Sequence, residues 1–192
     1  AYTTDQFLND LKIPKTLKVG VMINGAELIK ANTLKKNTLL ISSLFKKAKF
    51  SKVKLVRIAS HYSELSKVMP AASKIKSLGY KVAINLMQIS DRTENEIKQF
   101  CDLAKKYNMD AVYFADSTGS LNRYQTLEIV KNFKKNWKTD LGIHAHDNMD
   151  RAMENAMMAL NNGVSWIDST VLGMGRGPGN VKTENLVLEL EK

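Results

Sequence analysis

Two of the chain's three histidines, His144 and His146, stand one residue apart in the stretch LGIHAHDN. On a β-strand, side chains two apart point to the same face. Two neutral imidazoles on one face are a ready pair of ligands for a single divalent cation. Downstream, GMGRGPGNVKTENLVLEL places glycines at every second position from Gly173 to Gly179. Such a run lets backbone N–H groups approach an anion, with the N-terminus of a following helix behind them. It is neither a dinucleotide fingerprint nor a P-loop, because the spacing is G-x-G-x-G-x-G-N, Pro178 removes a donor and the P-loop lysine is absent. A third stretch, DSTG from Asp116 to Gly119, follows an apolar run. There Ser117 and Thr118 can offer hydroxyl or N–H groups to a carboxylate at a helix start.

The elements that must position these groups alternate between strand and helix. Apolar runs occur at 17–23, 53–59, 81–87, 111–115, 141–146 and 164–170. Their near-continuous apolarity suits parallel strands covered on both faces, and each interval is long enough for a crossover helix. Thr93 or Asp91 can cap a helix carrying Ile97, Cys101, Ala104 and Tyr107. A second helix is expected from the stripe Met149, Ala152, Met153, Ala156, Met157 and Leu160, ended by Asn161, Asn162 and Gly163. Thr4, or Thr3 with Gln6 in a capping box, opens a helix over Phe7, Leu8 and Leu11. Six such units fit either an open doubly wound sheet or a (β/α)8 barrel short of two units. Polar residues stand where each apolar run stops: Asn24, Ser60 and His61, Gln88 and Ser90, Asp116 to Thr118, His144 to Asn148, and Asp168 to Thr170. In a barrel they would encircle one mouth, so the expected fold is an α/β partial (β/α)8 TIM barrel spanning 1–192 as one domain.

Composition narrows the partners. The 29 Lys and Arg residues against 19 Asp and Glu give a net charge of +10. The lysines are scattered without the interleaved aromatics of a base-stacking platform, which argues against nucleic acid and for an anionic small substrate. No segment approaches the length of a bilayer span, so no membrane association is expected. The opening AYTTDQFL lacks the basic start and apolar region of a signal peptide. One cysteine, Cys101, excludes an internal disulfide framework and suits a reducing, cytoplasmic setting.

In combination, FADSTGS, then GIHAHDN with His144 falling 28 residues after Asp116, then VSWIDSTVLGMGRGPGNVKTENL, resemble the DRE-TIM metallolyase (HMGL-like) family. The branch approached most closely is that of the 4-hydroxy-2-oxovalerate aldolases, and VRIASHYSEL (56–65) resembles their fourth strand. The synthase branch usually has HCHND where this chain has HAHDN. The resemblance implies that His144 and His146 bind a divalent metal, Mn²⁺ first with Mg²⁺ or Zn²⁺ as alternatives. It implies that Asn180 lies at or near that metal, that Ser117 holds the carboxylate of a 2-oxo acid substrate, and that His144 also touches the bound keto acid.

The chain departs from the family in carrying no DRE-like first strand, which in the family supplies an aspartate ligand, an arginine and, in the aldolases, a histidine base. The tyrosine of the aldolases' C-terminal extension has no counterpart either. The expectation is therefore a piece lacking two N-terminal barrel strands, with the catalytic base outside it and with little activity by itself. Open strand edges rich in Val, Ile and Leu would call for a homo-oligomer or a partner chain. The implied reaction is cleavage of a 4-hydroxy-2-oxo acid to pyruvate and an aldehyde. The alternatives are a Claisen-type acyltransferase of the isopropylmalate synthase kind and a catalytically inactive barrel fragment acting as a scaffold. His61, at the end of the run 53–59, either lines the same mouth or, the reading preferred, is an ordinary strand-end histidine.

Overall fold

A computed structural model describes residues 4–30 and 33–191. Thr3, one of the two expected caps of the first helix, lies outside the described residues. The chain order is α1 (Thr4–Asp10), β1 (Val19–Asn24), α2 (Gly25–Leu28), α3 (Leu34–Leu44), β2 (Val53–Ser60), α4 (Leu65–Ser77) and β3 (Lys81–Leu86). It continues with α5 (Glu94–Lys106), β4 (Ala111–Asp116), α6 (Arg123–Asn136), β5 (Asp140–Ala145), α7 (Ala152–Asn161), β6 (Trp166–Ile167) and α8 (Thr183–Leu190). The strand order is that of the chain itself, as right-handed strand–helix–strand crossovers produce. No described helix is long and apolar enough to cross a membrane.

Contacts divide the chain into two compact units, Ala1–Ile84 with Ala104–Asp110, and Asn85–Leu103 with Ala111–Lys192. In the first, β1 and β2 pair in parallel, with Val21 opposite Val56 and Ile23 opposite Ile58. Val56, Ile58, Val68, Met69, Ile75, Val82 and Ile84 are buried in it. Of the residues expected to anchor α1, only Leu8 is buried, while Phe7 and Leu11 are exposed. The apolar spacing there marks one contact and not a packed face.

In the second unit, β4 pairs in parallel with β5, and β5 with β6. Tyr113 faces Gly142 across the first pair. A Cβ on Gly142 would run into the Tyr113 ring, so the glycine makes room for an aromatic side chain to lie across the neighbouring strand. Phe133 stacks on Phe114 at 5.4 Å and meets Phe100 edge-to-face at 6.1 Å. This aromatic cluster seats α5 and α6 on β4. Thr93 is the cap of α5: its Oγ1 accepts the Glu96 N–H, while its own N–H donates to the Glu96 carboxylate.

Two expectations need correction. The run 164–170 yields a strand of only two residues; beyond it the backbone turns into a short helical turn and a glycine loop. The buried face of α7 is Ala152, Asn155, Ala156 and Ala159, whereas Met149 is exposed and precedes the helix. Small side chains allow the helix to sit close, and the methionines flank that contact.

Candidate metal centre

His144 is the penultimate residue of β5 and His146 lies just beyond the strand. His146 keeps the extended direction because its backbone forms an isolated antiparallel bridge with Asn180. The two rings meet edge-to-face, with centroids 5.1 Å apart and planes at 83°. His144 Nδ1 is 2.7 Å from Asp168 Oδ2. In the neutral ring this contact fixes the proton on Nδ1 and leaves Nε2 with a free lone pair. Burial holds the pKa of His146 below the ordinary histidine value, with the charges of His144 and Arg176 acting in the same sense and Asp116 opposing. A ring kept neutral has a lone pair to give.

The glycine run spends part of its N–H groups on itself. Gly173 N–H donates to the Thr170 carbonyl and Gly179 N–H to the Arg176 carbonyl, so two of its donors close the loop on itself. The N–H of Asn180 returns to the Gly173 carbonyl. Gly179 has φ +99°, and a Cβ there would overlap the Gly173 carbonyl oxygen. Only glycine permits that crossing. The loop's product is the placement of Asn180 beside His146. Asn180 Nδ2 donates to the Met174 carbonyl, while its Oδ1, buried, has no hydrogen-bond partner among the described residues. At the start of α8 the Thr183 N–H donates to the Thr170 carbonyl.

Ser117 and Thr118 do not stand at a helix start. The helix begins at Arg123 with Asn122 as its cap, and the intervening turn is closed by the buried Asp116 carboxylate, which accepts the N–H groups of Ser120 and Leu121. Ser117 Oγ accepts the Gln88 N–H at 2.9 Å, which leaves the hydroxyl proton to donate. Gln88 achieves this from a left-handed backbone, φ 55°. Nothing in the residue type signals that conformation. The pairing of Asp168 with His144 was likewise hidden, although Asp168 is recognisable as a polar strand-end residue.

His61 belongs to the first unit. Its backbone N–H donates to the Glu64 carboxylate, closing the turn before α4, and its side chain is exposed. Among the described residues no three of His, Cys, Asp and Glu are grouped as a metal cluster. The candidate donors are instead mixed, the histidine pair and Asn180, which is bridged to His146 through the backbone. Two imidazoles and the unpartnered amide oxygen of Asn180 fit a borderline divalent cation with open positions for oxygen ligands.

The HMGL-like family model matches residues 26–192. The 4-hydroxy-2-oxovalerate aldolase of Brevibacillus brevis is 33% identical over 138 residues, 72% of this chain and 41% of that protein. The enzyme of the same name from Carboxydothermus hydrogenoformans is 34% identical over 139 residues, with 72% and 41% covered. The chain thus spans about two fifths of the length of these relatives. Among solved structures, the N-terminal domain of a protein assigned as an aldolase from Bacteroides vulgatus superposes with a TM-score of 0.75 at 28% identity, covering 92% of this chain and 56% of that one. The HMG-CoA lyase of Bacillus subtilis follows at 0.73 and 16% identity, covering 94% and 64%, a likeness of fold alone. The architecture is accordingly that of the TIM-barrel type, with six strand–helix units, and the chain belongs to the HMGL-like family.

Proposed function

We propose that the protein is a metal-dependent carbon–carbon lyase that cleaves a 4-hydroxy-2-oxo acid to pyruvate and an aldehyde. The observation that carries this reading is the histidine pair, edge-to-face at 5.1 Å, with Asp168 on one ring and with Asn180, whose amide oxygen is buried without a partner among the described residues, bridged through its backbone to His146. His144, His146 and Asn180 would hold a divalent cation, Mn²⁺ by preference. When bound, that ion supplies a Lewis acid where negative charge develops on the 2-oxo group.

The chain's own residues account for the rest. Asp168 fixes the orientation and tautomer of His144, the role that carboxylates play behind metal-binding histidines. Ser117, with its oxygen already engaged by the Gln88 N–H, donates its proton to the C1 carboxylate of the substrate. The buried Asp116 carboxylate keeps Ser117 in place by closing the turn behind it. The names of the curated relatives, 4-hydroxy-2-oxovalerate aldolase, support this substrate class.

The test uses the protein as the cell produces it, supplied with Mn²⁺ and 4-hydroxy-2-oxovalerate. Pyruvate formation should be abolished by chelator and should fall by at least about 100-fold in His144→Ala and His146→Ala, since even partners behind the ligands contribute 10–100-fold. Undiminished turnover in both variants would sink the proposal. Thiol release from acetyl-CoA with a 2-oxo acid, and no pyruvate, would replace it with the acyltransferase reading.

A further inference from the structure

Arg176 lies at the apex of the glycine loop, exposed. Its guanidinium has no hydrogen-bond or ion-pair partner among the described residues. The residues on either side fix where it sits. A Cβ on Gly175 would strike the Asn180 amide nitrogen, and one on Gly177 would lie 3.7 Å from Asn148 Oδ1. The loop is therefore pressed on Asn180 on one side of Arg176, with Asn148 near it on the other. The Asp147 N–H donates to the Gly179 carbonyl at 3.0 Å, and His146 bridges Asn180. These backbone contacts fasten the loop across the end of β5. The charge of Arg176 is felt at the His146 ring. A cation with no hydrogen-bond or ion-pair partner among the described residues, on a loop fastened beside the histidine pair, is a docking point for an anion.

We propose that Arg176 is a specificity-determining residue that binds a second oxyanion on the substrate, at the end remote from the C1 carboxylate. This rests on the reading of the site given above. The substrate class is thereby narrowed to 2-oxo acids whose aldehyde-derived half ends in a carboxylate or a phosphate. The flanking glycines present no side chain that would crowd the bound group, and the planar guanidinium suits either oxyanion through paired N–H donors.

The experiment compares 2-oxoglutarate with 2-oxovalerate, chains of equal length that differ in the terminal charge. Dissociation constants are measured by calorimetry on the Mn²⁺-loaded protein and on Arg176→Gln. The wild type should bind 2-oxoglutarate about tenfold more tightly, the scale of one charge-assisted pair. In Arg176→Gln that preference should fall to within about twofold, while 2-oxovalerate binds as before. A third ligand, 2-oxo-4-phosphonobutyrate, separates the two oxyanions: tighter binding than 2-oxoglutarate that is lost in the variant assigns the site to phosphate. A preference that survives in Arg176→Gln, or is absent from the wild type, overturns the assignment while leaving the lyase reading intact. Failure of 2-oxovalerate and pyruvate to bind either protein would overturn both.

Discussion

The two units use their strand ends differently. In the first, each polar group that follows a strand closes the turn beside it. Asn24 Oδ1 accepts the Ala26 N–H, Ser60 Oγ donates to the His61 carbonyl, and the Glu64 carboxylate accepts the His61 N–H. In the second, Asp116 does the same service, but its neighbours are left for longer-range partners. Ser117 meets Gln88, His144 meets Asp168 and His146 bridges Asn180, from positions 29, 24 and 34 residues apart. Local closure makes a strand end structural. Long-range pairing is what a site requires, because several side chains must be held by separate elements to meet at one point.

The largest expected effect tests whether the glycine loop is what produces that convergence. Gly179→Ala forces a side chain into a left-handed conformation and against the Gly173 carbonyl oxygen. Strain alone costs about 1–3 kcal/mol, and relief requires Asn180 to leave His146. Gly20→Ala in β1 meets only ordinary contacts at 3.5 Å from Leu55 and should stay within about 1 kcal/mol of wild type. Urea midpoints check the stabilities, and Mn²⁺ titration followed by electron paramagnetic resonance checks the site. Equal tolerance of the two substitutions would remove the loop from the account.

A smaller effect separates ligand orientation from folding. Asp168→Asn preserves shape but removes the charge beside His144 Nδ1. Mn²⁺ affinity should drop by about 10–100-fold, and nitrogen NMR of the metal-free protein should show the His144 tautomers becoming mixed. Glu64→Gln, which disturbs the corresponding carboxylate in the first unit, should leave Mn²⁺ affinity unchanged. An Asp168→Asn variant that binds the ion as well as wild type would mean that His144 is oriented by packing.

How far the sequence foretold this division follows from the range of the interactions. Alternation of apolar runs with helical stripes announced all six strands; β3, β4 and β5 are buried almost throughout, whereas β1 and β6 carry the same apolar signal without a fully buried residue. The shared face of His144 and His146 follows from strand periodicity. The sixth strand shrank to Trp166–Ile167, since the residues after it are held by the glycine loop and α8, which a run of apolar residues does not reveal. The glycines read as an anion cradle because their spacing shows freedom of the backbone but not where its N–H groups go. Two go to the loop's own carbonyls. Gln88 was legible as a polar residue at a strand end, but not the left-handed backbone through which it meets Ser117, and the position of Arg176 is set by contacts of its neighbours that no residue type announces.

The smallest effect probes the helix caps, where the two units should behave alike in kind and differ in degree. Asn122 Oδ1 accepts the N–H groups of Tyr124 and Gln125, and Gln125 returns a bond to the Asn122 N–H. Behind this box stands α6, 14 residues that bury Thr126, Val130 and Phe133. Asn24 accepts one N–H and opens only four residues. Loss of a cap exposes orphan donors in proportion to how many it satisfied. Asn122→Ala should therefore cost about 1–2 kcal/mol and Asn24→Ala about 0.5 kcal/mol, both read from urea midpoints. Neither asparagine touches the histidine pair, so Mn²⁺ affinity should be the same in both variants as in wild type. A shift in Mn²⁺ affinity with Asn24→Ala would show that the first unit's strand ends do more than close their own turns.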